Sequence, residues 1–136
     1  MQFAQIRDRA EIKSHDARNI DPAGLVGMWV NSNPDTRGVA RMIITESGGK
    51  LSLRVQAIGP DGLIDWGSTD IALFASSPSS RAAAGFMCLY DFGFAETRLE
   101  AMILKGLIVL AQIHTFRDGR VDYFVREYFA LDHGRY

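Results

Sequence analysis

Residues 83–131 read AAGFMCLYDFGFAETRLEAMILKGLIVLAQIHTFRDGRVDYFVREYFAL. The stretch divides into apolar or alternating runs over 83–92, 95–104, 107–117 and 120–131. Val, Ile, Phe and Tyr dominate them, as strands prefer. Short joints separate the runs at Gly93-Phe94, Lys105-Gly106 and Asp118-Gly119. Asp-Gly is among the strongest two-residue hairpin signals. Turn length then fixes the register. With two-residue loops, Arg117 pairs with Arg120, His114 lies opposite Tyr123, Thr97 opposite His114, and Tyr90 opposite Thr97.

Side chains alternate faces along a strand, so two continuous faces follow. One carries Ala84, Phe86, Cys88, Tyr90, Thr97, Leu99, Ala101, Ile103, Ile108, Leu110, Gln112, His114, Phe116, Val121, Tyr123, Val125, Glu127 and Phe129. Its single formal charge is Glu127. The other face holds Asp91, Arg98, Glu100, Asp122 and Arg126, beside Met87, Met102, Val109, Ile113, Phe124 and Tyr128. The first face is therefore expected inside. One misjudged turn would flip every residue beyond it.

Working toward the N-terminus, similar runs cover 25–31, 39–46, 50–58 and 64–74, with a turn at Ser47-Gly48-Gly49 and a longer loop at Ser76–Ser80. Ala40, Met42, Ile44, Leu51, Leu53 and Val55 read as inward, Arg41 and Arg54 as outward. Eight sequential hairpin-linked strands predict an all-β fold, an antiparallel up-and-down barrel whose closure removes exposed edges. A two-sheet sandwich is the alternative. Residues 1–22 differ: eight are charged, four of each sign, and read as a short N-terminal arm or surface helix before the barrel domain of 23–136. Asp21-Pro22 is a cap and first-turn pair, predicting one tight turn over 22–25.

The composition bounds the function. The 136 residues are 47% hydrophobic and 23% charged with formal net charge −1, enough for one core. Such a balance argues against nucleic acid or an anionic membrane surface as partner. One Cys excludes an intrachain disulfide framework. No apolar stretch reaches the roughly 18 residues of a membrane span. Met1–Ala10 lacks an apolar signal core, so a cytoplasmic protein is expected.

The inner row Tyr90, Thr97, His114 and Tyr123 is the sharpest chemical feature. Opposite residues lie roughly 5 Å apart, so these polar tips converge. Gln112 and Glu127 lie further along the same face, with Phe86 among the apolar neighbours. A ligand cavity with a few placed polar groups has this form; so does a buried ladder whose members satisfy one another. His114 titrates near neutrality and is the candidate acid or base, with Tyr90 or Tyr123 as donor to a substrate oxygen. Glu127 needs either a partner or a wet mouth. Cys88 reads as a small buried filler. His15, His114 and His133 have no metal-ligand spacing, and neither a metal nor a cofactor is expected. Asn31, Asn33, Asp35 and Arg37 follow the first strand and read as Asx-type turns, or as a rim touching ligand. Outer Phe124, Tyr128, Ile113 and Val109 form a patch suited to a homo-oligomer.

Gly27-Met28-Trp29, on the first strand after the short turn, resembles the G-x-W signature of the calycins, the superfamily of lipocalins and fatty-acid-binding proteins. The resemblance implies a lipocalin-like barrel with Trp29 at its closed base and Arg126 of the last strand packed across it. The register points Arg126 outward, and a bulge near the base would bring it back. Trp66 is expected to cap a barrel end in the same way. The expected function is binding of a small, largely apolar or aromatic molecule inside the barrel. The alternatives are a cofactor-independent cyclase, isomerase or dehydratase using His114 and a tyrosine, and a packed barrel that acts through its surface in an oligomer.

Overall fold

The computed structural model describes residues 20–133. The expected arm therefore lies outside the described residues, apart from its last three. Nine strands follow: β1 (Gly27–Asn31), β2 (Val39–Ser47), β3 (Lys50–Gly59), β4 (Gly62–Asp70), β5 (Ala72–Ala75), β6 (Ala83–Asp91), β7 (Ala95–Leu104), β8 (Leu107–Phe116) and β9 (Tyr123–Leu131). They form one antiparallel sheet in the order β4-β3-β2-β1-β9-β8-β7-β6-β5. The chain is all-β, as expected, and the sheet is a strongly curled half-barrel rather than an eight-stranded closed one.

The extra strand has a simple cause. The run 64–74 serves both edges of the sheet: β4 pairs with β3, and β5 pairs with β6, with only Ile71 between them. Asp70 and Ala72 can be no more than about 7 Å apart. The covalent chain thus forces the two edges together at that end and enforces the curl. β1 pairs with β9, so both ends of the described chain meet in the middle of the sheet.

The register follows the turn arithmetic. Tyr90 pairs with Thr97, Thr97 with His114, and His114 with Tyr123. At the β7–β8 joint both turn residues, Lys105 and Gly106, have positive φ, as a tight primed turn requires. Asp118-Gly119 keeps the expected phase, but pairing between β8 and β9 stops at His114 and Tyr123. Asp122 ends it by accepting a hydrogen bond from the Phe116 amide at 2.8 Å. Val121, expected inside, is 85% exposed as a result.

Bulges correct two other inward assignments. Ala40 is an extra residue on β2, because Val39 faces Ala57 while Arg41 faces Gln56. Val39, not Ala40, is therefore buried. Ala84 is likewise extra on β6, and Ala83 takes the core position instead. One extra residue turns every earlier side chain to the other face. Just beyond it, a Cβ on Gly85 would stand 2.3 Å from the Ala101 carbonyl oxygen, so only glycine lets β6 and β7 approach this closely.

The concave face packs Leu25, Trp29, Met42, Ile44, Leu53, Val55, Leu99, Ile108, Leu110 and Phe129 into one core. Full burial of each large side chain contributes about 2 kcal/mol. The expected turn over 22–25 is present: Asp21 Oδ1 accepts from the Ala23 amide, and the Leu25 amide donates to the Pro22 carbonyl. That turn aims the Leu25 carbonyl at Trp29, whose indole N–H donates to it at 2.8 Å. Gly27 has φ +139°, where side chains are strained, and a Cβ there would meet Leu131. The β8–β9 ladder runs without a bulge, so Arg126 stays exposed, five positions from Leu131, the residue opposite Trp29.

Candidate functional site

The loop from Ser32 to Gly38 builds one wall of the site. Asn31 Oδ1 accepts from the Asn33 amide at 2.8 Å, and Asn33 Oδ1 from the Asp35 amide at 3.0 Å. These successive Asx turns are the ones the sequence indicated. Thr36 follows: its hydroxyl accepts from the Gly38 amide at 3.1 Å and donates to Glu127 Oε2 at 2.6 Å. The loop is thereby tied to β9.

Glu127 is the centre of a polar network. Besides Thr36, Asn31 Nδ2 donates to Oε2 at 2.9 Å, and Gln112 Nε2 to Oε1 at 2.9 Å. Asn31 also donates to the Val39 carbonyl at 2.9 Å. The half-buried carboxylate is thus held by three neutral donors from β1, the loop and β8. The sequence singled out Asn31 for its turn, and its parity with inward Trp29, two residues earlier, also aims it at this network. Nothing in the sequence marks Thr36.

His114 stands next to this network. It is 8% exposed, and its Nδ1 shares a 2.8 Å hydrogen bond with the Thr97 hydroxyl. The Tyr123 ring stacks on it, centroids 4.4 Å apart. Burial lowers the imidazole's pKa from its usual value and so favours the neutral ring. No described residue bonds Nε2, while every fully buried side-chain N and O atom has a partner. Nε2 therefore opens toward the adjoining cavity. The Tyr123 hydroxyl likewise has no protein partner among the described residues.

That cavity measures about 630 Å³. The 32–38 loop, the β3–β4 hairpin, β8 and β9 surround it. Its apolar wall includes Ala57, Ile58, Ile64, Trp66 and Val125; its polar wall includes Gln112, His114, Tyr123 and Glu127. The volume lies within the range of small-molecule sites.

Three expected site residues do not line this cavity: Thr97, which is buried where it holds His114, Tyr90 and Phe86. The Tyr90 hydroxyl, in register with Thr97, points across the curl to the Gly67 carbonyl at 2.9 Å and the Leu53 carbonyl at 3.3 Å. It stitches β6 to β3 and β4, and burial raises its pKa. A phenol is long enough to cross the concave interior, which pairwise register does not reveal. Trp66 packs edge-on against Tyr90 and Phe92 at 5.4 and 5.2 Å. Phe86 is buried and borders a separate recess of about 560 Å³ with Phe74 and Met102. Cys88 is the buried filler expected, its thiol pushed up to about 12 by burial.

Comparison with protein-family models, curated proteins and solved structures found no match to this chain. Among the described residues, no helix is long and apolar enough to cross a membrane.

Proposed function

We propose that the protein binds a small, largely apolar or aromatic molecule in the cavity beside His114, as a lipocalin-like cytoplasmic binder. One observation carries the reading. Among the described residues, His114 Nε2 and the hydroxyl of the exposed Tyr123 make no hydrogen bond, and both residues border the same 630 Å³ space. Apolar Ile58, Ile64 and Val125 and the Trp66 ring supply contact area; the imidazole and phenol supply orientation. Glu127 is already occupied by its three donors, so its role is to fix the loop that forms the rim.

Native mass spectrometry of the purified protein tests this directly. A retained small molecule, lost on replacing Ile64 by Trp, is the expected result. Failure of apolar and aromatic fluorophores to bind, with no retained mass, would refute it.

One feature supports a second reading, acid–base catalysis of a cyclase, isomerase or dehydratase type. A neutral His114, anchored through Nδ1 by Thr97, can take or give a proton at Nε2, and Tyr123 can donate to a substrate oxygen. His114→Gln separates the two readings, since it preserves a hydrogen-bonding amide but cannot exchange a proton near neutrality. Turnover of the retained molecule that survives this change would exclude the catalytic role.

A further inference from the structure

The arginines divide into two groups. Eight lie among residues 20–133. Arg54 pairs with Asp65, Arg98 with Glu100, Arg117 with Asp91 and Glu96, and Arg120 with Asp118. Arg41 donates to Gln56, and Arg81 is also engaged. Only Arg37 and Arg126 have no ion pair or hydrogen bond with a described residue. Both line the cavity beside His114.

Chance placement would scatter uncommitted guanidiniums over the whole surface. Here both residues border one opening: Arg37 on the 32–38 loop, and Arg126 on the outward side of β9, in the stretch beyond its pairing with β1. Two carboxylates share that wall. Glu127 is saturated by its three donors, and Asp35 forms no ion pair with either arginine. A guanidinium presents a planar fork of donors that matches a carboxylate or sulfonate, and its charge needs little desolvation at a rim.

We propose that the ligand is an organic anion: an apolar or aromatic body seated against Trp66, with one carboxylate-type group held at the rim by Arg37 and Arg126. This rests on the cavity being a ligand site, and it adds the charge and orientation of the occupant. The acidic group faces solvent and the apolar body enters first, toward His114 and Tyr123.

A matched pair of fluorophores tests it. 1-Anilinonaphthalene-8-sulfonate and N-phenyl-1-naphthylamine share their rings and differ by the anionic group. The sulfonate is expected to bind more tightly than the neutral compound. Arg37→Gln and Arg126→Gln are each expected to weaken it several-fold, and the double variant about tenfold or more. The neutral probe should change less than twofold, which also reports that the variants are folded. Raising the salt concentration should weaken the sulfonate alone. Binding of both probes with no effect of either arginine overturns the anion proposal and leaves the cavity reading standing. An effect of Arg126→Gln without Arg37→Gln puts the anion on the outer face, beside Phe124 and Tyr128, and also overturns it. Binding of neither probe removes the cavity reading and this proposal together.

Discussion

Replacing Glu127 tests the network that joins the loop to the sheet. In Glu127→Ala, Asn31, Thr36 and Gln112 all lose their shared acceptor. A hydrogen bond to a charged group contributes about 1.5–3 kcal/mol. Three such bonds do not add independently, because they share one carboxylate. Asn31 keeps the Val39 carbonyl, and cavity water can reach Thr36, so the low end applies. Gln112 is the exception: it is 1% exposed, and its amide nitrogen would be left without a protein acceptor. The expected loss is about 3 kcal/mol.

Glu127→Gln should behave differently. Its carbonyl oxygen can replace Oε2 and serve Asn31 and Thr36. Its new N–H₂ group would confront Gln112 Nε2, but a flip of the Gln112 amide turns an oxygen toward it instead. A loss of about 1 kcal/mol follows, from the missing charge. For a urea slope of about 2 kcal/mol per molar, the midpoint should fall by about 1.5 M for Ala and about 0.5 M for Gln. An Ala variant within about 0.5 M of the parent on that slope would show that the network contributes about 1 kcal/mol or less, and would refute the expected loss of about 3 kcal/mol. A Gln variant as damaged as Ala would refute the geometry of the donors.

Other expectations follow from single contacts. Gly85→Ala drives a Cβ into the Ala101 carbonyl and should cost about 3 kcal/mol or more, seen as a large drop in thermal midpoint; a shift of a degree or two would contradict the close strand approach. Tyr90→Phe keeps the ring against Trp66 but releases the Gly67 and Leu53 carbonyls, costing about 1 kcal/mol. It should speed amide exchange along β4 before that of β8, and uniform exchange would argue against the stitch. For His114 the folded pKa lies below the unfolded value of about 6.5, so the folded state resists protonation. Its contribution to stability is fully present above that pH and declines as pH falls through the folded pKa. His114→Gln should remove that slope, and an NMR titration midpoint at or above 6.5 would reverse the sign.

Much of the fold was legible because its determinants are local. Tight turns at Gly93-Phe94 and Lys105-Gly106 set the pairing of Tyr90, Thr97 and His114, and the wider 117–122 loop around Asp118-Gly119 keeps the phase that pairs His114 with Tyr123. The same arithmetic failed where an extra residue entered without a sequence mark, at Ala40 and Ala84. Splitting of the run 64–74 was also hidden, because both halves favour strand and only the curl decides which edge each joins.

The candidate site was half legible. Period-two alternation placed Gln112, His114, Tyr123 and Glu127 on the concave face, and the structure brings all four to one cavity. It could not reveal where each polar tip ends. Tyr90 shares their row yet bonds Gly67 across the interior, and Glu127 takes partners from a loop about 90 residues away in sequence. The sequence by itself determined the strand type, the register of the last four strands and the polar row. Only the tertiary structure decided the curl, the carboxylate's three donors and the opening beside His114. Register depends on neighbours along the chain, whereas a cavity and its hydrogen bonds depend on which distant surfaces the curl brings together.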